Sequence, residues 1–491
     1  MMHRRLHGHA RPGSFDRNLV VIGGGSAGLV SAYIAAALKA RVTLVEKDRM
    51  GGDCLNTGCV PSKALLRSAD FARQIQRAPD LGFRSIQADF DLKDIMQRVQ
   101  RVMRTIEPHD SAERYTRLGV ECLHGAARIT SPWRVEVEDR PLTTRNIVLA
   151  TGARPFVPAL QGIEHSGYLT SDTIWQVRER PGRLLVLGGG AIGCEMAQAF
   201  ARLGSRVVLV EMLPRILPRE DEDVSARLAV RLAAEGVELR TGYRVLRFER
   251  DDGSRRAICV HRKQEVAIEF DTVLVAIGRR SDTEDLGLDA AGVALTEGGA
   301  VRVDDTLRTT CPTIYACGDV AGPYQFTHTA SHQAWYATVN ALLGGIKRFR
   351  VDYSVIPWAT FTDPEVARVG LNEQEAKDKG IPHEVTTYDI ADLDRAITDE
   401  AADGMVKVLT PPGRDRILGA TIVGSRAGEL IAEYVLAMKH GLGLKKILGT
   451  IHVYPTLMEA NRFAAGNWRR AHTPEGLLRW VERFHRWRRG G

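Results

Sequence analysis

NLVVIGGGSAGLVSAYIAAALKARVTLVEK, from Asn18 to Lys47, is answered later in the chain by RLLVLGGGAIGCEMAQAFARLGSRVVLVEM, from Arg183 to Met212. Each copy opens with an apolar run of strand type and passes through Gly-x-Gly-x-x-Gly (Gly23, Gly25, Gly28; Gly188, Gly190, Gly193). Each then continues as an alanine-rich helical stretch and ends in a second strand closed by a glutamate, Glu46 or Glu211. The separation of the first glycine from that glutamate is identical in the two copies. In such a unit the first glycine makes the turn, the second lets a pyrophosphate approach the backbone, and the third packs helix on strand. The helix N-terminus faces the phosphates and the glutamate accepts from a ribose hydroxyl. One glycine motif is weak evidence, whereas two in full strand, turn, helix and strand context imply two dinucleotide sites on α/β domains of Rossmann type.

Working outward, IVLATGA (Ile147 to Ala153) and VLVAIGRR (Val273 to Arg280) are apolar strands that run into glycine turns, one closing each nucleotide region. TIYACGDV (Thr313 to Val320) is a buried strand ending in Gly318 and Asp319, a carboxylate placed to hold a cofactor hydroxyl. After about residue 350 the pattern becomes mixed α+β, with strands GMVKVLT and ILGATIVG and a helix from Glu429 to His440. The predicted organisation is a flexible basic tail (1–15), a first nucleotide region (16–155), a second inserted into it (156–280) and a return to the first (281–348). A third domain (349–470) and a basic amphipathic tail (471–491) follow. A chain of 491 residues is long enough for about three such domains.

Composition excludes more than it assigns. The net charge of +7 is spread along the chain and concentrated only at its ends, which gives no footing for a nucleic-acid role. No apolar run reaches the roughly 18 to 20 residues that span a bilayer, and the N-terminal MMHRRLHGHARPGSF lacks the apolar core of a secretory signal, so a cytoplasmic location is expected. Seven scattered cysteines do not form a secreted disulfide framework.

Two cysteines stand apart, in GGDCLNTGCVPSKAL from Gly51 to Leu65. Cys54 and Cys59 are too close for a useful structural staple and too few for a four-ligand zinc site, so no metal site is expected. Cys194 and Cys317 sit in apolar context and read as buried, inert thiols. With C-x4-C-V-P-S-K placed between two glycine fingerprints, the chain from about Asn18 to Ala465 resembles the pyridine nucleotide-disulfide oxidoreductases, the family of dihydrolipoamide dehydrogenase, glutathione reductase and mercuric reductase. The resemblance implies an FAD domain, an NAD domain and a C-terminal α+β dimerisation domain. It makes Cys59 the thiol against the flavin and Cys54 the outer thiol that attacks the acceptor, accessible and with a lowered pKa. Lys63 lies near the flavin and pairs with Glu195. Further cofactor contacts are implied at Gly52, Gly125, Thr151, Gly152 and Asp319 for FAD, and at Ile192 and Gly278 for the nicotinamide nucleotide. Electrons are expected to pass from NADH through FAD to the Cys54/Cys59 disulfide and on to a small-molecule acceptor. Glu211 favours NAD(H) over NADP(H), because a carboxylate repels the 2′-phosphate; Arg215 counts the other way.

One segment departs from most relatives. Where dihydrolipoamide dehydrogenase and glutathione reductase carry a histidine before a proline and a glutamate five residues on, this chain reads IHVYPTLMEA, which puts Tyr454 and Glu459 at those positions. A phenol with a pKa of about 10 is a poor base at neutral pH. His452 is the candidate to replace it, although a structural role is the commoner one for a lone histidine. Tyrosine here draws the chain toward mercuric reductase, yet FHRWRRGG at the end carries no cysteine pair, so mercuric-reductase-like flavoproteins are the expected branch. The soluble transhydrogenases share the tyrosine segment but lack the paired cysteines. By resemblance the homodimer shares its active site, with Tyr454 and Glu459 of one subunit serving the cysteines of the other.

The alternatives are a dihydrolipoamide dehydrogenase, a diaphorase or quinone reductase with secondary thiols, and a non-enzymatic binding protein working through its C-terminal helix. That helix, in EGLLRWVERFHRWRRGG, has Leu477, Leu478, Val481 and Phe484 at helical spacing with Trp480 and Trp487 among arginines. Packing on the domain surface is the leading expectation, ahead of contact with an anionic membrane surface.

Overall fold

The structure, a computed structural model, describes residues 5–251 and 253–490. It divides into two compact units, of which the first holds residues 1–76, 86–212 and 237–352 and the second 77–85, 213–236 and 353–491.

The first unit is built on two sheets, one for each sequence copy. Arg17–Ile22 is buried apart from Asn18, as a strand inside a sheet covered on both faces must be. It pairs in parallel with Val42–Glu46 on one side and Arg140–Leu149 on the other. Ile314–Ala316 joins the same sheet beside Arg140–Leu149, Ile314 opposite Ile147, so the chain returns to its first sheet after the second has been inserted. The second sheet is parallel throughout, in the order Leu169–Thr170, Thr272–Val275, Arg183–Leu187, Arg206–Glu211, Val237–Thr241. Ser26–Ala37 packs against Thr327–Leu343 through small side chains, with Ala27, Ala32 and Ala35 sharing a core with Ala330, Ala334, Ala337 and Ala341. Alanine on both faces lets the two helices approach closely.

The second unit is a five-stranded antiparallel sheet, Pro357–Thr360, Glu365–Gly370, Gly419–Gly424, Met405–Thr410 and Glu384–Asp389. Ala427–Lys439 and Glu459–Ala471 pack on it, and Tyr434 and Trp468 are buried in its core. This is the α+β domain expected past residue 350, with one addition. Residues 213–236, assigned from the linear sequence to the nucleotide region 156–280, cluster here. The cause is a buried ion network. Lys407 Nζ, 1% exposed, reaches Asp223 Oδ2 at 2.6 Å, Glu373 Oε1 at 2.8 Å and Asp221 Oδ2 at 3.2 Å. Arg368, equally buried, lies 2.9 Å from Glu220 Oε2 and stacks over Trp358. Buried charges of this kind persist only when each has its partner, and the partners come from both segments.

Two tail expectations are revised. Of the basic tail 1–15, residues 1–4 lie outside the described residues, and Arg5–Leu6 pairs with His9–Ala10 in a short hairpin rather than running as a free tail. The C-terminal helix does form, over Glu475–Arg488, but no residue of it is buried, so it does not pack on the domain surface as expected.

Candidate active site

Both fingerprints fold with the same backbone. Gly23 and Gly188 adopt φ of +107° and +105°, which side chains rarely tolerate. A Cβ on Gly28 would fall 1.7 Å from Gly23 O, and one on Gly193 1.8 Å from Gly188 O. The carboxylates repeat as well, Glu46 Oε2 accepting from Gly24 N at 2.5 Å and Glu211 Oε2 from Gly189 N at 2.7 Å. Around the first turn, Gly125 N donates to Glu46 O at 2.9 Å, Gly52 lies against Gly25, and Thr151 lies beside Gly23. Gly152 has φ of +74° and open space where a side chain would stand. Around the second, Gly188 touches Ile277 while Gly190 and Gly278 face open space and Ile192 is exposed.

The two helices that start here test the fit of a dinucleotide. Ser26–Ala37 and Ala191–Arg202 have glycine N-caps, no side-chain cap and no acidic residue in the first turn. A helix N-terminus carries roughly half a positive charge, and its free N–H groups suit a phosphate. At the edge of the first sheet Asp319 has a carboxyl pushed up to about 6 by burial, against the pull of Arg279. Its loop is held by Gln333, fully buried, whose Oε1 accepts from Gly318 N at 2.6 Å and whose Nε2 donates to Gly322 O at 2.8 Å. The residues present therefore fit two dinucleotides.

The thiol segment follows the first copy. Gly51 and Gly52, at φ of +89° and +55°, turn the chain into Gly52–Asn56, and Asn56 Nδ2 closes the turn on Gly52 O at 2.9 Å. Trp175 Nε1 donates to Thr57 O at 2.8 Å and pins the link between the cysteines. Cys59 then opens the helix Cys59–Gln76. Both thiols are free, and their titrations are linked. Cys59 is drawn down to about 5 from an ordinary 9.0 by the hydrogen bond from Cys54, then by Thr327, whose Oγ1 is 3.4 Å from its sulfur, and by the charge of Lys63. Its place at a helix N-terminus acts in the same direction. Cys54 is pushed up, because it donates to Cys59, is partly buried, and faces the negative charge that Cys59 carries. The expectation of a lowered pKa at Cys54 is thereby corrected. When two thiols touch, the first proton lost makes the second harder to lose, and the surroundings assign the charge to Cys59.

Lys63 Nζ lies 2.8 Å from Glu195 Oε2, the carboxylate 6% exposed and the ammonium 37%. The pair joins the helix after the cysteines to the helix of the second fingerprint. Asp53, next to Cys54, is ion-paired with Arg279. Thr327, Trp175, Gln333 and Arg279 are site residues that motif reading missed; Thr327, Trp175 and Arg279 contribute through contacts with residues more than a hundred positions away, and Gln333 through the loop just before its own helix. Cys194 and Cys317 are buried, as expected, with Cys317 pushed up to about 12 by burial.

In the second unit Tyr454 is exposed, and its hydroxyl donates to Asp394 Oδ2 at 3.0 Å, which raises its pKa above the ordinary phenol value. Glu459 is buried at the start of Glu459–Ala471. His452 has both ring nitrogens engaged, Nε2 2.9 Å from Glu433 Oε1 and Nδ1 3.0 Å from Thr450 O, with a side chain only 4% exposed.

The family description pyridine nucleotide-disulphide oxidoreductase matches residues 17–334, and its dimerisation domain matches residues 356–465. The chain belongs to this family. It is a flavin-dependent pyridine nucleotide-disulphide oxidoreductase, and the dimerisation domain supports a homodimer. The enzyme is 37% identical over 448 residues to the dihydrolipoyl dehydrogenase of Chlamydia muridarum, covering 90% of this chain and 94% of that one. It is 32% identical over 452 residues to the mercuric reductase of Bacillus cereus, covering 92% and 71%. Among solved structures, the Cu(II) complex of the HOCl-induced flavoprotein disulfide reductase RclA from Escherichia coli superposes with a TM-score of 0.81 at 28% identity, over 92% of this chain and 99% of that one. Among the described residues of the oxidoreductase, no helix is long and apolar enough to cross a membrane.

Proposed function

We propose that this oxidoreductase draws electrons from NADH, passes them to the Cys54/Cys59 couple, and delivers them to a thiophilic acceptor at the subunit interface, a soft metal ion before an organic disulfide. Gly23, Gly25, Gly28, Glu46 and Asp319 would hold FAD, and Gly188, Gly190, Gly193 and Glu211 the nicotinamide nucleotide. The flavin supplies hydride acceptance and two-electron release. The buried carboxylate of Glu211, at the ribose position, supports NADH over NADPH.

The protein's own chemistry begins at the disulfide. Its S–S bond takes two electrons and breaks, leaving a thiolate on Cys59 and, after one proton, a thiol on Cys54. To attack an organic disulfide, Cys54 must first lose that proton, which the neighbouring Cys59 thiolate makes hard. In the homodimer, Tyr454 and Glu459 of one subunit would face the cysteines of the other. Tyr454, its phenol raised by Asp394, is no base at neutral pH. A soft cation displaces the proton itself on binding sulfur, so the tyrosine costs a metal acceptor little. The single observation that carries this reading is the missing base: Tyr454, exposed and donating its hydroxyl to Asp394 Oδ2 at 3.0 Å, stands where a histidine would. The relatives named mercuric reductase, and the Cu(II) complex of the similar reductase, agree with it.

The test is NADH and NADPH oxidation by the purified homodimer with Hg(II), Cu(II), lipoamide, glutathione disulfide and a quinone. NADH with a metal ion should be fastest, and Cys54→Ser should abolish that turnover. Tyr454→His should raise disulfide turnover by about 10 to 100-fold. Retained metal or quinone turnover in Cys54→Ser would instead mark direct reduction by the flavin, with the thiols secondary.

A further inference from the structure

The helix Glu475–Arg488 is one feature that the redox chemistry leaves unused. At about 3.6 residues per turn, Leu477, Leu478, Trp480, Val481, Phe484 and Trp487 fall on one face, with His485 and Arg488 at its C-terminal end and Arg488 over the Phe484 ring, while Arg479, Arg483 and Arg486 fall on the other with Glu475 and Glu482. The apolar face is uncovered, with Trp487 72%, Trp480 61% and Leu478 55% exposed. Its rings form one surface, Trp480 stacked on Phe484 with centroids 5.7 Å apart and Phe484 6.1 Å from Trp487. Exposed contiguous apolar area of this kind marks an interaction site. The family's dimerisation-domain match covers residues 356–465, and the helix Glu475–Arg488 contributes no buried residue to the core of that unit.

We propose that this helix docks the oxidoreductase on an anionic bilayer surface. The charge points to the occupant. Arg479, Arg483, Arg486, Arg488 and Arg489 outnumber Glu475 and Glu482, and Glu482 is already engaged by Arg486. A second protein surface would require complementary pockets for two tryptophans. A bilayer requires only what is present: aromatic rings that settle at the headgroup level, and arginines that stay in water against anionic lipid. The helix would lie in the plane of the interface, without crossing it.

The experiment is cosedimentation of the full chain with vesicles of phosphatidylcholine alone or of phosphatidylcholine with phosphatidylglycerol. Binding is expected to the mixed vesicles only and to weaken as salt rises. Trp480→Glu with Phe484→Glu should abolish it, and reversing Arg479, Arg483 and Arg486 to Glu should weaken it on the order of 100-fold. NADH-dependent turnover in solution should stay unchanged in both variants, so this test fails or succeeds apart from the redox proposal. Absence of binding at low salt, or equal binding by the variants, overturns the proposal. Dissociation of the homodimer in Trp480→Glu with Phe484→Glu, seen by sedimentation, would assign the face to a second copy of the chain and overturn it as well.

Discussion

The two glycine fingerprints are near duplicates in backbone and opposites in what is attached to them. Both make the same left-handed turn at the first glycine, both exclude a side chain at the third, and both tie the strand-end carboxylate to the turn at nearly the same distance. After Glu46, the first copy runs through a glycine turn into Cys54 and Cys59. The second has the buried carboxylate of Glu195 inside its own helix. The ion pair of Lys63 with Glu195 joins the two, with Asp70 and Arg202 paired between the same helices at 3.7 Å. A nucleotide-binding frame is therefore a neutral support, and the reaction lies in a few side chains set at its edge.

The strongest way to break the comparison is to add one methyl group to each copy. Gly28→Ala and Gly193→Ala both drive a Cβ into a backbone carbonyl, at a cost of about 3 kcal/mol or more unless the helix shifts. Gly28→Ala should purify without flavin colour, while Gly193→Ala should keep its flavin and lose reduction by NADH. Loss of flavin from both would show that the copies do not divide their ligands. Cutting the link between copies should have a smaller effect. Lys63→Met and Glu195→Gln are expected to slow reduction by NADH on the order of tenfold each, and the double variant no more than either alone, because they act as one pair. Additive losses would separate their roles.

The smallest effect is a shift in a titration. In the reduced chain, iodoacetamide should alkylate one thiol with a midpoint near pH 5, where Cys59 loses its proton, far below the ordinary 9.0. Thr327→Ala and Lys63→Met should each move that midpoint up. The sign for stability follows. A thiol whose folded pKa is depressed contributes fully above its unfolded pKa, and the contribution fades as pH falls from there toward the folded value. A reduced chain is thus expected to lose this contribution between about 9 and about 5. A midpoint that stayed near 9 would remove the charge assignment within the thiol pair.

Several features were decided by sequence alone. Gly28 and Gly193 announce their turns because the constraint is a local steric one: a Cβ there meets the carbonyl of Gly23 or Gly188, five residues back, whereas Gly23 and Gly188 are closed in by Ala150 and Ala276 from distant strands. Cys54 and Cys59 are readable as a redox pair because C-x4-C-V-P-S-K between two fingerprints carries the family resemblance. The return of TIYACGDV to the first sheet was readable as an apolar strand with a carboxylate at its end. Other features needed the folded chain. The proton that the thiols share is placed by Thr327 and Lys63, and Thr327 lies 268 residues from Cys59. Residues 213–236 join the C-terminal unit because Lys407 and Arg368, far along the chain, are buried against their carboxylates. Burial and charge depend on summed three-dimensional proximity, which no local pattern of residues encodes; the close packing of the third glycine on the first depends on residues five apart, which the order of residues states outright.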